Sequence, residues 1–228
     1  MLTTAGNPST YPEAGPEDPY AARVLLVGLT GGIGAGKSEV IRRLAERGAQ
    51  IIDADVLARD AVAPGTAGLA AVVAAFGEDV LTSAGRLDRD RLSGLVFADA
   101  DARKRLNGIV HPLVRAETAR RIAAAPPQAI VVNDVPLLVE AGLAALYPVV
   151  VVIGVTPATQ LDRLVRFRGM APADAEARIA AQAPLADKLA VATYVIDNDG
   201  PLTALDPQIA DLWRELSRRV ASNGRPDG

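Results

Sequence analysis

Five short apolar runs divide the chain, and each one predicts a β-strand, at 24–29, 50–53, 129–133, 149–154 and 194–197. Runs of β-branched residues, such as the one from Val149 to Ile153, are typical of strands that a parallel sheet buries on both faces. Between these runs, apolar residues recur at the three- and four-residue spacing of amphipathic helices. The pattern therefore predicts an α/β fold.

A long, mostly helical segment, about 55–128, separates the second and third predicted strands. Asp88 predicts the N-cap of a helix that runs to Phe97, a second helix covers 99–108, and His111-Pro112 predicts the start of a third. One crossover helix does not need so many residues. We therefore expect this segment to form a helical cap over the binding site of a second substrate.

A second helical segment, about 157–188, follows the fourth predicted strand and is rich in arginine. Thr156-Pro157 predicts a helix start, Gly169 predicts its end, and Ala171-Pro172 predicts the start of another short helix. The first of these helices carries three arginines, Arg163, Arg166 and Arg168. Hinged arginine-rich helices are typical of a lid that closes over phosphates, although a single arginine is also compatible with a solvated helix face.

The residues from Gly31 to Ser38 read Gly-Gly-Ile-Gly-Ala-Gly-Lys-Ser, a complete phosphate-binding loop between a predicted strand and a predicted helix. Glycines let backbone N–H groups surround phosphate oxygens, Lys37 reaches the β and γ phosphates, and the Ser38 hydroxyl ligates Mg²⁺. The sequence therefore predicts a nucleoside triphosphate site that also holds Mg²⁺.

Composition and net charge limit the classes of partner and the cellular location that we expect for the protein. The net charge of −3 gives no basic field for nucleic acid, and the absence of cysteine excludes disulfides and thiolate metal sites. The apolar runs are too short to span a membrane, and the first residues do not resemble a signal peptide. We expect a cytoplasmic protein with one domain over 23–220, a disordered extension over 1–22 and a disordered tail over 221–228.

Two acids follow the second predicted strand, in the sequence Asp53-Ala54-Asp55. Ligands of open parallel sheets bind beyond the carboxyl ends of the strands, where a carboxylate accepts a proton or holds Mg²⁺. If strand geometry persists, the two side chains point the same way. The alternative for Asp55 is a role as a helix cap. Asp134, at the end of the third strand, gives a weaker indication of a metal site.

The remaining motifs favour a small-molecule kinase. None of the three lysines, at 37, 104 and 188, follows an asparagine, so the guanine-reading motif of small GTPases is absent. A compact chain with a helical cap and an arginine lid suits transfer of phosphate to a small acceptor, with water excluded by closure. A nucleoside or nucleotide kinase and a nucleotide sensor without transferase activity remain as alternatives.

A series of further motifs runs along the chain: Gly28 to Ser38, Ile52-Asp53-Ala54-Asp55, Leu87-Asp88-Arg89, Leu106-Asn107-x-Ile109-x-His111-Pro112, Pro136-Leu137-Leu138-x-Glu140, Arg163, Arg168, Gln182, Lys188 and Ile196-x-Asn198-x-Gly200. In their order and approximate spacing, these motifs resemble those of the dephospho-coenzyme A kinases. The resemblance implies a phosphate-loop fold with a five-stranded parallel sheet, a helical cap and a helical lid. It also implies phosphorylation of the ribose 3′-hydroxyl of dephospho-coenzyme A by ATP. Two positions depart from the family pattern, where Val139 replaces phenylalanine and Thr193 replaces aspartate.

The resemblance also implies roles for individual residues, by their positions in the shared motifs. Asp55, Lys37 and Arg163 are the expected catalytic residues, and Ser38 and Asp55 the expected magnesium ligands. The residues expected to bind ATP are Gly32, Ile33, Gly34, Ala35, Gly36, Lys37, Ser38, Glu39, Arg168 and Asn198. Those expected on the acceptor side are Asp53, His111, Pro136, Leu137 and Glu140. We expect a monomer or a weak homo-oligomer.

Overall fold

The computed structural model describes residues 24–223, so the predicted extension 1–22 lies outside the described residues. All five predicted strands are present: β1 (Val24–Gly31), β2 (Gln50–Asp53), β3 (Ala129–Asp134), β4 (Val149–Gly154) and β5 (Tyr194–Asp197). They form one sheet in the order β2-β3-β1-β4-β5. β1 pairs in parallel with both β3 and β4, and β4 pairs in parallel with β5. The phosphate-binding loop therefore leaves the central strand of a parallel α/β sheet.

Within the described residues the chain divides into two compact units, residues 53–123 and residues 24–52 together with 124–223. The second unit, called the sheet unit below, contains helices α1 (Lys37–Glu46), α6 (Pro157–Arg168), α7 (Pro172–Ala180), α8 (Leu185–Ala190) and α9 (Leu205–Asn223). Its core joins the buried strands to α1 and α9 through residues such as Leu29, Leu44, Ile153, Ile209 and Leu216. The alternation of buried strands with amphipathic helices is what the apolar pattern predicts.

The first unit, called the helical unit below, contains α2 (Ala54–Ala61), α3 (Ala67–Phe76), α4 (Arg89–Ala98) and most of α5 (Ala100–Ala124). Val62, Val72, Val80 and Leu92 form its small buried core. Asp88 caps α4, since its carboxylate accepts a hydrogen bond from the Arg91 N–H at 3.0 Å. The cap predicted from the sequence at Asp88 is therefore confirmed.

The prediction of two helices around His111-Pro112 is wrong, because α5 runs without interruption through Pro112. A proline inside a helix removes one backbone hydrogen bond and crowds the carbonyl four residues before it. Here that residue is Gly108, which has no side chain to add to the crowding. Buried residues on both sides of Pro112, among them Ala102, Val114 and Ile122, stabilise the continuous helix.

The helix boundaries in the arginine-rich segment, about 157–188, follow the predictions. The Thr156 hydroxyl accepts a hydrogen bond from the Thr159 N–H at the start of α6, and Gly169 ends that helix with a φ of 63°. α7 starts at Pro172, as predicted.

The last helix, α9, continues to Asn223, so the predicted tail 221–228 begins three residues too early. The last five residues of that tail lie outside the described part of the chain. None of the helices within 24–223 combines the length and hydropathy needed to cross a membrane.

Candidate active site

The phosphate-binding loop lies between the end of β1 at Gly31 and the start of α1 at Lys37. Gly34 and Gly36 have φ values of 75° and 85°, a left-handed conformation that is costly for other residues. The Lys37 Nζ atom lies 3.5 Å from the Gly31 carbonyl oxygen, at the base of the loop. The first turn of α1 presents N–H groups without intrahelical acceptors, together with the positive end of the helix dipole, which makes the loop an anion-binding structure.

Asn198, expected to bind ATP, and Arg163, expected to be catalytic, both bind carbonyl groups of the loop. The Asn198 amide donates to the Ala35 carbonyl at 2.7 Å. The Arg163 guanidinium donates to the Asn198 carbonyl at 2.6 Å and to the Gly34 carbonyl at 3.3 Å. A side chain at Gly36 would collide with the Asn198 amide, so the loop requires glycine there for both its backbone conformation and its packing.

Two glutamine side chains hold the backbone of Ile33, in the same loop. The Gln160 side-chain amide donates to the Ile33 carbonyl, and the Ile33 N–H donates to the Gln182 carbonyl oxygen, each at 2.7 Å. Sequence reasoning did not find Gln160, because a glutamine inside an amphipathic helix carries no motif. Gln182 was noted through the family resemblance, without an assigned contact.

Glu140, expected on the acceptor side, forms an ion pair with Lys188 at 2.6 Å. Lys188 is only 2% exposed, and the same Glu140 oxygen accepts the Ala183 N–H at 2.9 Å. Burial of the Glu140 carboxyl opposes ionisation, but the hydrogen bonds from Lys188 and the backbone outweigh it and hold the pKa of Glu140 below its usual value. In this structure Glu140 joins the β3–β4 connection to the segment that follows α7.

This ion pair predicts an acid-sensitive contribution to stability. A carboxyl whose pKa is lowered by folding stabilises the protein above its unfolded pKa, and the contribution is lost as pH falls through the folded pKa. We therefore expect the free energy of unfolding to fall as pH drops below about 4.5, the ordinary pKa of glutamate. Urea titrations from pH 7 to pH 3 measure this. Glu140→Gln should be less stable than the wild type at pH 7, and the difference should shrink at pH 3; a constant difference would contradict the assignment.

The two acids after β2 have different positions in the helical unit. Asp53 is the N-cap of α2, where its Oδ1 atom accepts hydrogen bonds from the Asp55 and Val56 N–H groups at 2.9 and 3.0 Å. Asp55 lies in the first turn of the helix and is exposed. The expectation that strand geometry continues through both residues is wrong, because the strand ends at Asp53. The capping role that the sequence offered for Asp55 belongs to Asp53, which leaves the Asp55 carboxylate for other contacts.

The other predicted residues have varied surroundings. The Pro136 carbonyl accepts a hydrogen bond from the Thr30 hydroxyl at 3.3 Å. The next residue, Leu137, is 52% exposed. Glu39 forms ion pairs with Arg42 and Arg43 at 2.6 and 2.9 Å. Arg168 is exposed at the end of α6.

His111 lies in the middle of α5. Burial, reinforced by the nearby Arg115, lowers the pKa of its imidazole, so a neutral ring is favoured near pH 7. This is compatible with either a packing role or a polar contact to a substrate.

One departure from the family pattern has a structural explanation. The Thr193 hydroxyl accepts a hydrogen bond from the Val150 N–H at 3.0 Å, and the Thr193 N–H donates to the Val150 carbonyl at 2.8 Å. Thr193 therefore extends the pairing of β4 and β5 toward their amino ends. Nothing in the structure explains the valine at position 139.

Comparisons with known proteins bear on the family of this chain. The family model described as dephospho-CoA kinase matches residues 25–204. A dephospho-CoA kinase of Streptomyces avermitilis is 57% identical over 201 residues, which cover 88% of this chain and 98% of that protein. The dephospho-CoA kinase of Thermobifida fusca is 53% identical, with 87% and 100% covered. The crystal structure of TT1252 from Thermus thermophilus superposes with a TM-score of 0.71 at 30% identity, over 85% of this chain and 98% of that one. The chain belongs to the dephospho-CoA kinase family.

Proposed function

We propose that this protein transfers the γ-phosphate of ATP to the ribose 3′-hydroxyl of dephospho-coenzyme A, giving coenzyme A and ADP in the last step of coenzyme A synthesis. The observation that carries the proposal is the phosphate-binding loop at the end of β1, with Lys37 at its base and Arg163 and Asn198 bonded to its carbonyls. Membership of the dephospho-CoA kinase family supports the choice of acceptor.

The loop residues fit ATP and Mg²⁺. The Asn198 Oδ1 atom is buried beside the loop and accepts no hydrogen bond from the described residues, as expected for a group that a ligand or water would satisfy. Residues 24–223 contain no cluster of three or more acidic, histidine or cysteine side chains that could cage a metal. Mg²⁺ bound to nucleotide usually retains several waters and few protein ligands, so Ser38 and Asp55 are sufficient candidates. Mg²⁺ held by Ser38 and Asp55 would neutralise part of the negative charge on the phosphates.

Asp55 is the proposed base for the acceptor. It is exposed at the first turn of α2, and α2 begins directly after the carboxyl end of a parallel strand. In the proposed step the 3′-hydroxyl oxygen forms a bond to the γ-phosphorus and releases its proton to the Asp55 carboxylate. The bond between the γ-phosphorus and the β–γ bridging oxygen breaks, and ADP leaves with that electron pair.

Lys37 and Arg163 are proposed to supply positive charge around the phosphates. Arg168, on α6 like Arg163, is a further cation. These groups would counter the charge that spreads over the transferred phosphoryl oxygens. Helices α6 and α7 serve as the proposed lid that excludes water, and α2 to α5 serve as the proposed cap over the acceptor. Asp53, His111, Pro136, Leu137 and Glu140 are proposed to shape the acceptor side, with Asp53 and Glu140 acting through the backbone contacts they make.

Measurement of ADP release tests the proposal. The purified protein is incubated with Mg·ATP and dephospho-coenzyme A, with nucleoside monophosphates, or without acceptor, and Lys37→Ala serves as the blank. Release with dephospho-coenzyme A alone, absent from the blank, is the expected result. Release with a nucleoside monophosphate would replace the proposal by a nucleotide kinase, and no release with any acceptor would favour a nucleotide sensor.

A further inference from the structure

Both backbone hydrogen-bonding groups of Ile33 are bound by side chains that are distant in sequence. Gln160 lies 127 residues away in α6 and donates to the Ile33 carbonyl. Gln182 lies 149 residues away, just after α7, and accepts from the Ile33 N–H. A loop backbone whose donor and acceptor are both bound in this way has a fixed position and a fixed peptide orientation.

The chemistry fixes the orientation of each glutamine. Only the NH₂ group of Gln160 can donate to a carbonyl, and only the carbonyl oxygen of Gln182 can accept from an N–H. Exchanging the oxygen and nitrogen of either side chain would place two donors or two acceptors face to face. The two glutamines therefore have opposite and distinguishable roles at a single residue.

Other contacts hold the two glutamines in place. The residue after Gln182, Ala183, donates its N–H to the Glu140 carboxylate, which also binds the buried Lys188. Gln160 is 8% exposed, and a Cβ atom at Gly32 would collide with its side-chain nitrogen. A side chain at position 32 would therefore displace the Gln160 amide from its contact with Ile33.

We infer that Gln160 and Gln182 are positioning residues that hold the phosphate-binding loop in its ATP-binding geometry and join it to both ends of the α6–α7 segment. Neither is assigned a contact to ATP, and each acts through the backbone of Ile33. The inference rests on the proposed use of the loop for ATP. It does not depend on the identity of the acceptor.

Two variants with the same change in charge separate the loss of a specific hydrogen bond from the effect of added negative charge near the loop. Gln160→Glu and Gln182→Glu each add one negative charge beside the same residue, but only Gln182→Glu retains the required acceptor oxygen. Gln160→Glu loses the donor and sets a carboxylate against the Ile33 carbonyl. We expect Gln160→Glu to bind Mg·ATP about tenfold more weakly than Gln182→Glu, measured by titration calorimetry without acceptor. Equal weakening in the two variants would overturn the inference.

A second pair, Gln182→Met and Gln182→Glu, tests the same contact without relying on Gln160→Glu to fold. Methionine has a similar length but lacks the acceptor oxygen, so the Ile33 amide should exchange with deuterium faster in Gln182→Met and at the wild-type rate in Gln182→Glu. Thermal melts without nucleotide confirm that each variant is folded. Unchanged exchange at Ile33 in Gln182→Met would overturn the inference. Neither amide exchange nor ATP affinity requires the acceptor substrate. Failure of the proposed reaction would therefore appear separately, as a wild-type protein that is inactive with dephospho-coenzyme A but shows the expected exchange and affinity differences.

Discussion

An Asp55→Asn variant is expected to fold and to bind ATP, while its kcat with dephospho-coenzyme A falls by about 10²-fold or more. Asparagine has nearly the shape of aspartate but cannot accept the proton of the attacking hydroxyl. The backbone N–H of residue 55 still donates to Asp53, so the start of α2 is preserved. Steady-state kinetics and ATP titration together measure the two parts of this expectation.

Asp60→Asn is the matched control for this variant. Asp60 is also exposed on α2, and its substitution removes the same charge from the same helix. We expect its kcat to stay within about twofold of the wild type, the size typical of surface substitutions. A near-normal kcat in Asp55→Asn would remove the assignment of Asp55 as the base, and an equal loss in both variants would point to helix charge instead.

The second large effect is expected at Arg163. Arg163→Ala should lower kcat/KM for ATP by about 10² to 10³-fold, the usual result of losing one preorganised charge contact to a transferring phosphoryl group. The substitution removes a cation and also the hydrogen bonds to the Gly34 and Asn198 carbonyls. Both losses act on the phosphate-binding loop. Initial rates at varied ATP, with saturating dephospho-coenzyme A, give the measurement.

Arg166→Ala provides the comparison on the same helix. The Arg166 side chain is 69% exposed and pairs with Asp162 one turn away, so its removal should change kcat/KM by less than about threefold. Arg163→Lys adds a finer test, because lysine keeps the charge but lacks the planar, forked guanidinium that spans the Gly34 and Asn198 carbonyls. If Arg163→Ala handled ATP normally, the lid arginine would have no part in the reaction.

Local patterns in the sequence predicted most of the fold, for identifiable physical reasons. The strands β1, β3 and β4 contain continuous apolar runs and are almost wholly buried, because burial on both faces of a parallel sheet requires such runs. The edge strands β2 and β5 are shorter and partly exposed. The starts of α4 and α6 follow from Asp88 and Thr156, whose side chains cap helices through contacts only three residues away. Gly169 ends α6 because its left-handed backbone is costly for a residue with a side chain.

The errors occur where distant contacts or competing local preferences decide the structure. Pro112 predicts a helix start by itself, but burial on both sides of it stabilises one continuous helix. The sequence offers Asp55 as a helix cap, but β2 ends at Asp53, and that residue becomes the cap instead. The contacts of Gln160 and Glu140 join residues far apart in the chain, so no periodicity or motif spacing indicates them. The chemical roles of the site residues stay predictions until the variants are measured.

The double attachment of the α6–α7 segment has a thermodynamic consequence. Arg163 and Gln160 fasten it on one side and Gln182 on the other, with Gly169 and Pro172 between them. A segment held at both ends samples far fewer conformations than one with a free end, because its loop is already closed. For the proposed lid, part of the entropic cost of closing over ATP is therefore met when the protein folds, before any nucleotide arrives.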